Sequence, residues 1–430
     1  MSERAAHRVV IVGGGFGGLN AALALRKAPV QVTMIDKRNY HLFQPLLYQV
    51  ATGGLSPANI SAPLRAVLRK QKNCTTLMGE VTAFDMTAQE VVLSDGGRVG
   101  FDSLILACGA TNNYFNHPEW EAVAPGLKSI EEATDIRSRI LTAFELAERE
   151  SDPIVRQKLL TFVVVGGGPT GVELCGAICE LAHSTMKNDF RNIDPRATRI
   201  LLIDSGERVL SSFPEKLSLA AMKSLAKMGV EVISNTRVVQ IHDEYVVISR
   251  NKGPEEIVPA EVSIWAAGVK ASPLGKMVAD LTGCTTDRGG RVQVEPDMSL
   301  RGHPNLFVIG DMMTMPWKDG LALPGVSPVA MQQGAFVARL IDRRLAGLAH
   351  PGSFRYWDKG SMATIGRASA IVDAGFLRFS GFFAWLAWLF VHIAFLIQFE
   401  NRLLVMSQWF WNYITRNRYA RLITGNNRDI

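Results

Sequence analysis

A chain of 430 residues, 47% of them hydrophobic and 20% charged, is too apolar to be disordered and long enough for two or three cores. The formal net charge of +6 is modest, and Lys and Arg are mixed with Asp and Glu through the first two thirds, so no nucleic-acid partner is expected. Five cysteines (Cys74, Cys108, Cys175, Cys179, Cys284) form no C-x-x-C pair and no zinc-ligand spacing, which points to free thiols in a reducing compartment and to no metal site.

The first apolar run, residues 8–12, begins too early to leave room for a signal peptide, so the catalytic body is expected in the cytoplasm. It ends in Gly13-Gly14-Gly15-Phe16-Gly17-Gly18, is followed by helical spacing over 20–27, and leads to a second apolar strand, 31–36, that ends in Asp36. Residues 91–98 read as a hairpin arm and 103–110 as a buried strand ending at a turn. The opening design then repeats: a strand at 160–165, the loop Gly166-Gly167-Gly168-Pro169-Thr170-Gly171, a helix, and a strand at 199–204 ending in Asp204. A polar insertion, 187–198, lengthens this second copy. Residues 262–269 match 103–110, and 305–311, ending in Gly310-Asp311, return the chain to its first domain. After Ile371 the composition changes, and 379–399 is almost wholly apolar.

G-x-G-x-x-G between a strand and a helix permits a sharp turn, brings backbone N–H groups to a pyrophosphate, and aims the positive end of a helix at it. Two such loops, each followed by an acid-ended strand, call for two dinucleotide sites. Asp36 and Asp204 are placed to accept from ribose hydroxyls, and an acid there favours NADH over NADPH, a preference that nearby Arg208 weakens. Two nucleotide sites on one chain imply relay from a nicotinamide to a second redox cofactor, most economically FAD on the first loop, with Asp311 reaching it from the returning strand. Cys175 and Cys179, four apart on a helix, read as small apolar residues packing one face.

Residues 39–53 (Asn-Tyr-His-Leu-Phe-Gln-Pro-Leu-Leu-Tyr-Gln-Val-Ala-Thr-Gly), with 166–173, 265–269, Gly310-Asp311 and 330–333 (Ala-Met-Gln-Gln), closely resemble type II NADH:quinone oxidoreductases over nearly the whole chain. The resemblance implies an α/β fold with two Rossmann-like dinucleotide-binding domains, flavoprotein disulfide reductase-like, plus a C-terminal helical membrane-anchoring segment. It implies non-covalent FAD, oxidation of NADH, and two-electron transfer to a membrane quinone, ubiquinone or menaquinone, without proton pumping. The expected domains are 1–116 and 285–370 for FAD, 117–284 for NADH, and 371–430 for membrane anchoring. Carried over, FAD is held by Gly13, Gly15, Gly18, Asp36, Lys37, Val81, Ala107, Gly109, Asp311 and Ala330, with Pro45 and Thr52 by the flavin ring. NADH is held by Gly166, Gly168, Gly171, Asp204, Ala267 and Gly268. Glu173 matches an acid near the flavin and quinone, able to relay protons. Gln332 and Gln333 match amides of the quinone site, although Ser327-Pro328 replaces the usual first Ala-Gln of that stretch. The redox cysteine pair of disulfide reductases and sulfide:quinone enzymes is missing, which leaves direct transfer from flavin to quinone.

The apolar stretch 379–399 has the length of a spanning helix, since about 20 residues cross a ~30 Å hydrocarbon core. Against that, Arg402, Arg416, Arg418, Arg421 and Arg428 follow it, with Glu400 and Asp429 as offsets, and would emerge on the wrong face for the positive-inside tendency. Monotopic attachment to the cytoplasmic face of the inner membrane, through in-plane aromatic helices on lipid, is therefore expected, with a single span as the alternative. A homodimer is the expected assembly. Two other functions stay open on sequence alone: a flavin-dependent reductase of another acceptor, and a membrane-attached nucleotide-sensing flavoprotein.

Overall fold

The apolar runs that precede the two glycine loops become central strands of two separate sheets. The computed structural model describes residues 6–424, apart from the side chains of Asp319 and Phe399; Arg428 and Asp429 lie outside the described residues. Within these the chain forms two compact units, one built from 6–42, 61–111 and 269–359, the other from 43–60, 112–268 and 360–424.

The first unit carries a six-stranded sheet in the order Ser299–Leu300, His303–Val308, Ser103–Leu106, His7–Val12, Val30–Asp36, Cys74–Met78. All neighbours are parallel except the first pair. Strand Ser103–Leu106 is buried at every residue, as expected for an interior strand of a parallel sheet covered on both faces. The pairing of His303–Val308 with Ser103–Leu106 is the expected return of the chain to its first domain. Helix Phe16–Ala24 packs against helix Ser327–Leu345, and a Cβ on Gly334 would stand 2.2 Å from the Gly17 carbonyl oxygen, so this crossing requires glycine. The hairpin arm is a three-stranded antiparallel sheet, Val81–Asp85, Glu90–Leu93 and Arg98–Gly100.

The second unit repeats the plan with a four-stranded parallel sheet, Val230–Ile233, Arg199–Ile203, Thr161–Val165, Val262–Trp265. Segment 43–60, expected with the first domain, joins this unit because its helix Leu47–Ala51 packs on helices Ile130–Arg149 and Pro169–Glu180. Ser129 begins the former through a reciprocal cap: its hydroxyl accepts from the Glu132 N–H, and the Glu132 carboxylate accepts from the Ser129 N–H at 2.7 Å.

The C-terminal apolar run does not form one helix. Arg378–Gly381 instead closes a three-stranded antiparallel sheet with Ser361–Gly366 and Ser369–Asp373. Gly381 (φ +89°) then turns the chain into helix Phe382–Phe395, and Gln398 (φ +70°) turns it again into helix Phe399–Thr415. Fourteen residues of helix measure about 21 Å. No helix among the described residues is long and apolar enough to cross a membrane; within 379–399 the helix covers Phe382–Phe395, between Gly381 at positive φ and Leu396 in an extended conformation.

Candidate active site

The two loops are built alike, each within its own unit. Gly13 (φ +104°) and Gly166 (φ +113°) adopt backbone conformations that favour glycine. A Cβ on Gly13 would meet the Ala107 carbonyl oxygen at 2.5 Å, and one on Gly166 the Ala266 carbonyl at 2.6 Å, so the strand crossing each loop passes flush against it. A Cβ on Gly18 would lie 1.8 Å from the Gly13 oxygen, and one on Gly171 1.9 Å from the Gly166 oxygen. Gly15 and Gly168 are the N-caps of helices Phe16–Ala24 and Pro169–Glu180; neither has a side-chain cap, and the space beside each is open. Uncapped N–H groups at a helix start facing open space form an anion cradle.

Both strand-end acids hold their loops. Asp36 accepts from the Gly14 N–H (2.6 Å) and the Arg38 N–H (2.7 Å), and Asp204 accepts from Gly167 (2.5 Å) and Gly206 (2.7 Å). Each carboxylate oxygen keeps a further lone pair for a ribose hydroxyl. The Arg208 guanidinium turns to the carbonyls of Phe213 and Ser211, at 2.9 and 3.3 Å. Among the other residues expected at FAD, Lys37 is exposed, Val81 and Ala107 are buried, and Gly109, like Gly310, has positive φ. Buried Ala330 lies 3.4 Å from where a Gly310 Cβ would be, and Asp311 is half-buried. Around the second, Ala267 and Gly268 follow strand Val262–Trp265 and are half-buried.

A cavity of about 370 Å³ opens within the second unit. Tyr48 and Gln49 from helix Leu47–Ala51 line it, with Glu173 and Glu180 from the helix after the second loop. Thr364 and Arg367 from the C-terminal sheet, and Trp385, Trp388, Trp409 and Arg418 from the C-terminal region, complete most of the wall. Glu173 keeps some exposure through the cavity, but burial by protein on its other sides pushes its carboxyl up to about 8, against the opposing hydrogen bond from the Thr364 N–H at 3.3 Å. It is therefore a protonated acid at neutral pH. Burial, and then the nearby Glu173, raise the Tyr48 phenol well above its ordinary range. The Trp409 indole N–H donates to Gln49 Oε1 (2.7 Å), and Gln49 Nε2 donates to Tyr48 Oη (2.9 Å), leaving the Tyr48 O–H for a ligand.

The C-terminal segment binds helix Leu47–Ala51 and the turn after it. Asn412 donates to the Gly54 carbonyl at 3.2 Å, and Ala420 N–H to that of Gly53. Arg418 donates to the Thr52 carbonyl (3.1 Å) and pairs with Glu180 (2.8 Å). The Thr52 hydroxyl, fully buried, donates to the Tyr48 carbonyl at 2.9 Å, and Pro45 lies in the short 3₁₀ turn Gln44–Leu46.

Gln332 and Gln333 belong to the first unit, on helix Ser327–Leu345, which Pro328 starts in its first turn. The Gln332 amide is engaged at both ends by the Trp357 backbone, at 2.9 and 3.0 Å. Gln333 is fully buried, and its Oε1 accepts from the Gly310 N–H at 2.7 Å. The cavity residues that sequence reasoning missed are Tyr48, Gln49, Trp388, Trp409, Arg367 and Arg418. Tyr48 and Gln49 stand inside the 39–53 segment and carried a signal; no local pattern links Trp409 to Gln49, 360 positions away. Cys175 and Cys179 are buried; Cys179 Sγ donates to the Met228 carbonyl at 2.8 Å, and burial pushes its thiol up to about 12.

The family model for pyridine nucleotide-disulphide oxidoreductases matches residues 7–334, and that for the NDH2 C-terminal domain matches 358–417. The type II NADH:quinone oxidoreductase NdhA of Mycobacterium tuberculosis is 47% identical over 425 residues, covering 97% of this chain and 89% of that protein. The type II NADH:quinone oxidoreductase Ndh of the same organism is 45% identical, with 97% and 90% covered. In fold, the chain is similar to NDH2 from Plasmodium falciparum, solved in complex with NADH: TM-score 0.87 at 22% identity, covering 98% of this chain and 100% of that one.

Proposed function

We propose, on the premise that this chain belongs to the type II NADH:quinone oxidoreductase family, that its two glycine loops and its Tyr48–Glu173 cavity divide the work of reducing a membrane quinone. The enzyme is an FAD-dependent oxidoreductase catalysing NADH + H⁺ + quinone → NAD⁺ + quinol. FAD, when bound, takes a hydride from NADH and passes two electrons to the quinone.

The first loop holds FAD through Gly13, Gly15 and Gly18, with Asp36 for the adenosine ribose and Lys37, Val81, Ala107, Gly109, Asp311 and Ala330 around it. The second holds NADH through Gly166, Gly168, Gly171 and Asp204, with Ala267 and Gly268 beside it. What supports this is the open cradle at Gly15 and at Gly168, the places where a Cβ meets nothing. The acid at each strand end suits a ribose hydroxyl better than a 2'-phosphate.

The observation that carries the quinone assignment is the pairing of two protonated groups, Tyr48 and Glu173, in an aromatic-walled cavity. Its size falls in the ordinary range for ligand pockets, about 300 to 1,000 Å³. The tryptophans give a flat ring apolar contact, Tyr48 donates to a quinone oxygen, and Glu173 supplies the proton that the quinol takes up. Arg367, Arg416 and Arg418 against Glu180 make the wall net positive when Glu173 is protonated, which favours negative charge developing on the substrate. For Gln332 and Gln333, engaged with Trp357 and Gly310, a quinone role requires giving up one of those bonds. Under anaerobic conditions, NADH should bleach the yellow protein and added quinone should restore the colour. Bleaching without return would favour a different acceptor.

Membrane attachment is monotopic, on the cytoplasmic face, through the apolar side of the last two helices. Phe383 and Phe390 are about three-quarters exposed, and Phe410 and Trp411 are exposed on the second helix. Such a surface on helices too short to span suits the interface of a bilayer. Replacing Phe383 and Phe390 together by Glu should weaken binding to phospholipid vesicles by at least about 100-fold in flotation, since each buried Phe is worth about 1.5–3 kcal/mol. Reduction of a short-chain, water-soluble quinone should be retained. The expected homodimer belongs to the same reading.

A further inference from the structure

The two loops differ in one respect. In the second, the carbonyl of the middle glycine, Gly167, accepts from the backbone N–H of Leu210 at 2.7 Å. In the first, the equivalent Gly14 carbonyl has a side-chain partner: His41 Nδ1, at 2.9 Å. With Asp36 on the Gly14 N–H, that residue is held through both of its peptides.

His41 lies on strand Tyr40–Leu42, opposite Ala62 of the neighbouring strand, and is 1% exposed. The Phe16 ring meets it edge-on at 5.1 Å, and Asp36 is the charged group that acts on it. Because a carbonyl only accepts, Nδ1 must carry the proton, and burial holds the ring neutral by lowering its affinity for a second one. Nε2 is then a bare acceptor, buried, with no hydrogen-bond partner among the described residues. A buried polar atom without a partner is costly unless a ligand supplies one. FAD carries hydroxyl and N–H donors; the second loop has no counterpart to this acceptor, since its carbonyl is held by backbone.

We propose that His41 is a positioning residue for FAD: Nδ1–H fixes the Gly14 peptide in the shape that receives the cofactor, and Nε2 accepts a hydrogen bond from an O–H or N–H of the bound FAD. This rests on the assignment of FAD to the first loop. It gives a physical reason for histidine at this place, where an apolar residue would fill the volume and leave the Gly14 carbonyl unpaired.

The test is FAD titration of apoprotein, read by flavin fluorescence, with His41→Phe, His41→Asn and Asp36→Ala beside the parent. His41→Phe removes both bonds and should weaken FAD by about tenfold or more, as for one buried bond lost with its partner left unpaired. His41→Asn places an amide N–H near the Nδ1 position and should recover part of that loss, the remainder being the Nε2 acceptor. NADH binding to the same apoproteins should be unchanged. Thermal melts of the apoproteins, followed by circular dichroism, establish that each variant folds; if His41→Phe does not, the His41→Asn comparison decides alone. Parent-like FAD affinity in His41→Phe, or equal losses in Phe and Asn, would overturn the role of His41. Unchanged affinity in Asp36→Ala would overturn the assignment of FAD to the first loop as well. Reduced affinity there, with parent-like affinity in His41→Phe, would remove the His41 role only.

Discussion

Changing Gly171 to alanine should abolish flavin reduction by NADH while the protein keeps its full complement of FAD. The methyl group would sit 1.9 Å from the Gly166 carbonyl oxygen, inside the same turn, and that oxygen is backbone. Relief therefore requires the turn to open or the start of helix Pro169–Glu180 to move by about an ångström, displacing the uncapped N–H groups that we propose receive the nicotinamide nucleotide's phosphates. A misplacement of that size costs about 10²-fold where rate depends on alignment. Anaerobic stopped-flow bleaching by NADH should slow at least that much, with the flavin spectrum unchanged. Loss of bound flavin instead would mean that the two loops have been assigned the wrong way round. Gly18→Ala makes the reciprocal case, with its Cβ at 1.8 Å from the Gly13 oxygen, and should release FAD.

Glu173→Gln should separate the two half-reactions in the other direction. Glutamine preserves the shape and can still accept from Thr364 N–H, but it cannot give up a proton at neutral pH. Reduction of the flavin by NADH should be unaffected, and oxidation by quinone should fall by about 10²-fold, the usual contribution of a positioned general acid. In the parent, quinol formation should decline as pH rises through about 8, where burial no longer keeps the carboxyl protonated, and this limb should vanish in the variant. Stability follows the same proton. The folded state holds it more tightly than the unfolded chain, whose carboxyl has an ordinary value of 4.5, so the stability this proton contributes is fully present below about 4.5 and lost as pH rises through about 8. The variant, neutral throughout, should therefore gain in melting temperature relative to the parent as pH increases across that window. An unchanged quinone rate would remove Glu173 from the reaction.

Much of this was legible because it is local. A strand, a glycine turn and a helix occupy consecutive residues, and the sterics that require Gly13 and Gly166 operate within a few bonds and one crossing strand. The duplication, the fold class and the family could be read from such stretches. The polar insertion 187–198 explained in advance why Asp204 stands far from its loop yet ends in the same place as Asp36. The C-terminal run was harder. Its composition satisfied the length of a membrane span, but Gly381 and Gln398 take left-handed backbone angles that hydropathy does not register.

The amino-acid order alone therefore determined two dinucleotide loops, their acids and an apolar, aromatic C-terminal end, since each depends on neighbours in the chain or on composition. Tertiary structure decided what Glu173 is chemically, because its proton affinity is set by how much protein surrounds it. It also decided that Tyr48, Gln49 and Trp409 act together, and that the Gln332 and Gln333 amides are engaged by Trp357 and Gly310. Desolvation and hydrogen bonds between residues hundreds of positions apart come into being only when the whole unit has packed, and no pattern along the chain encodes them.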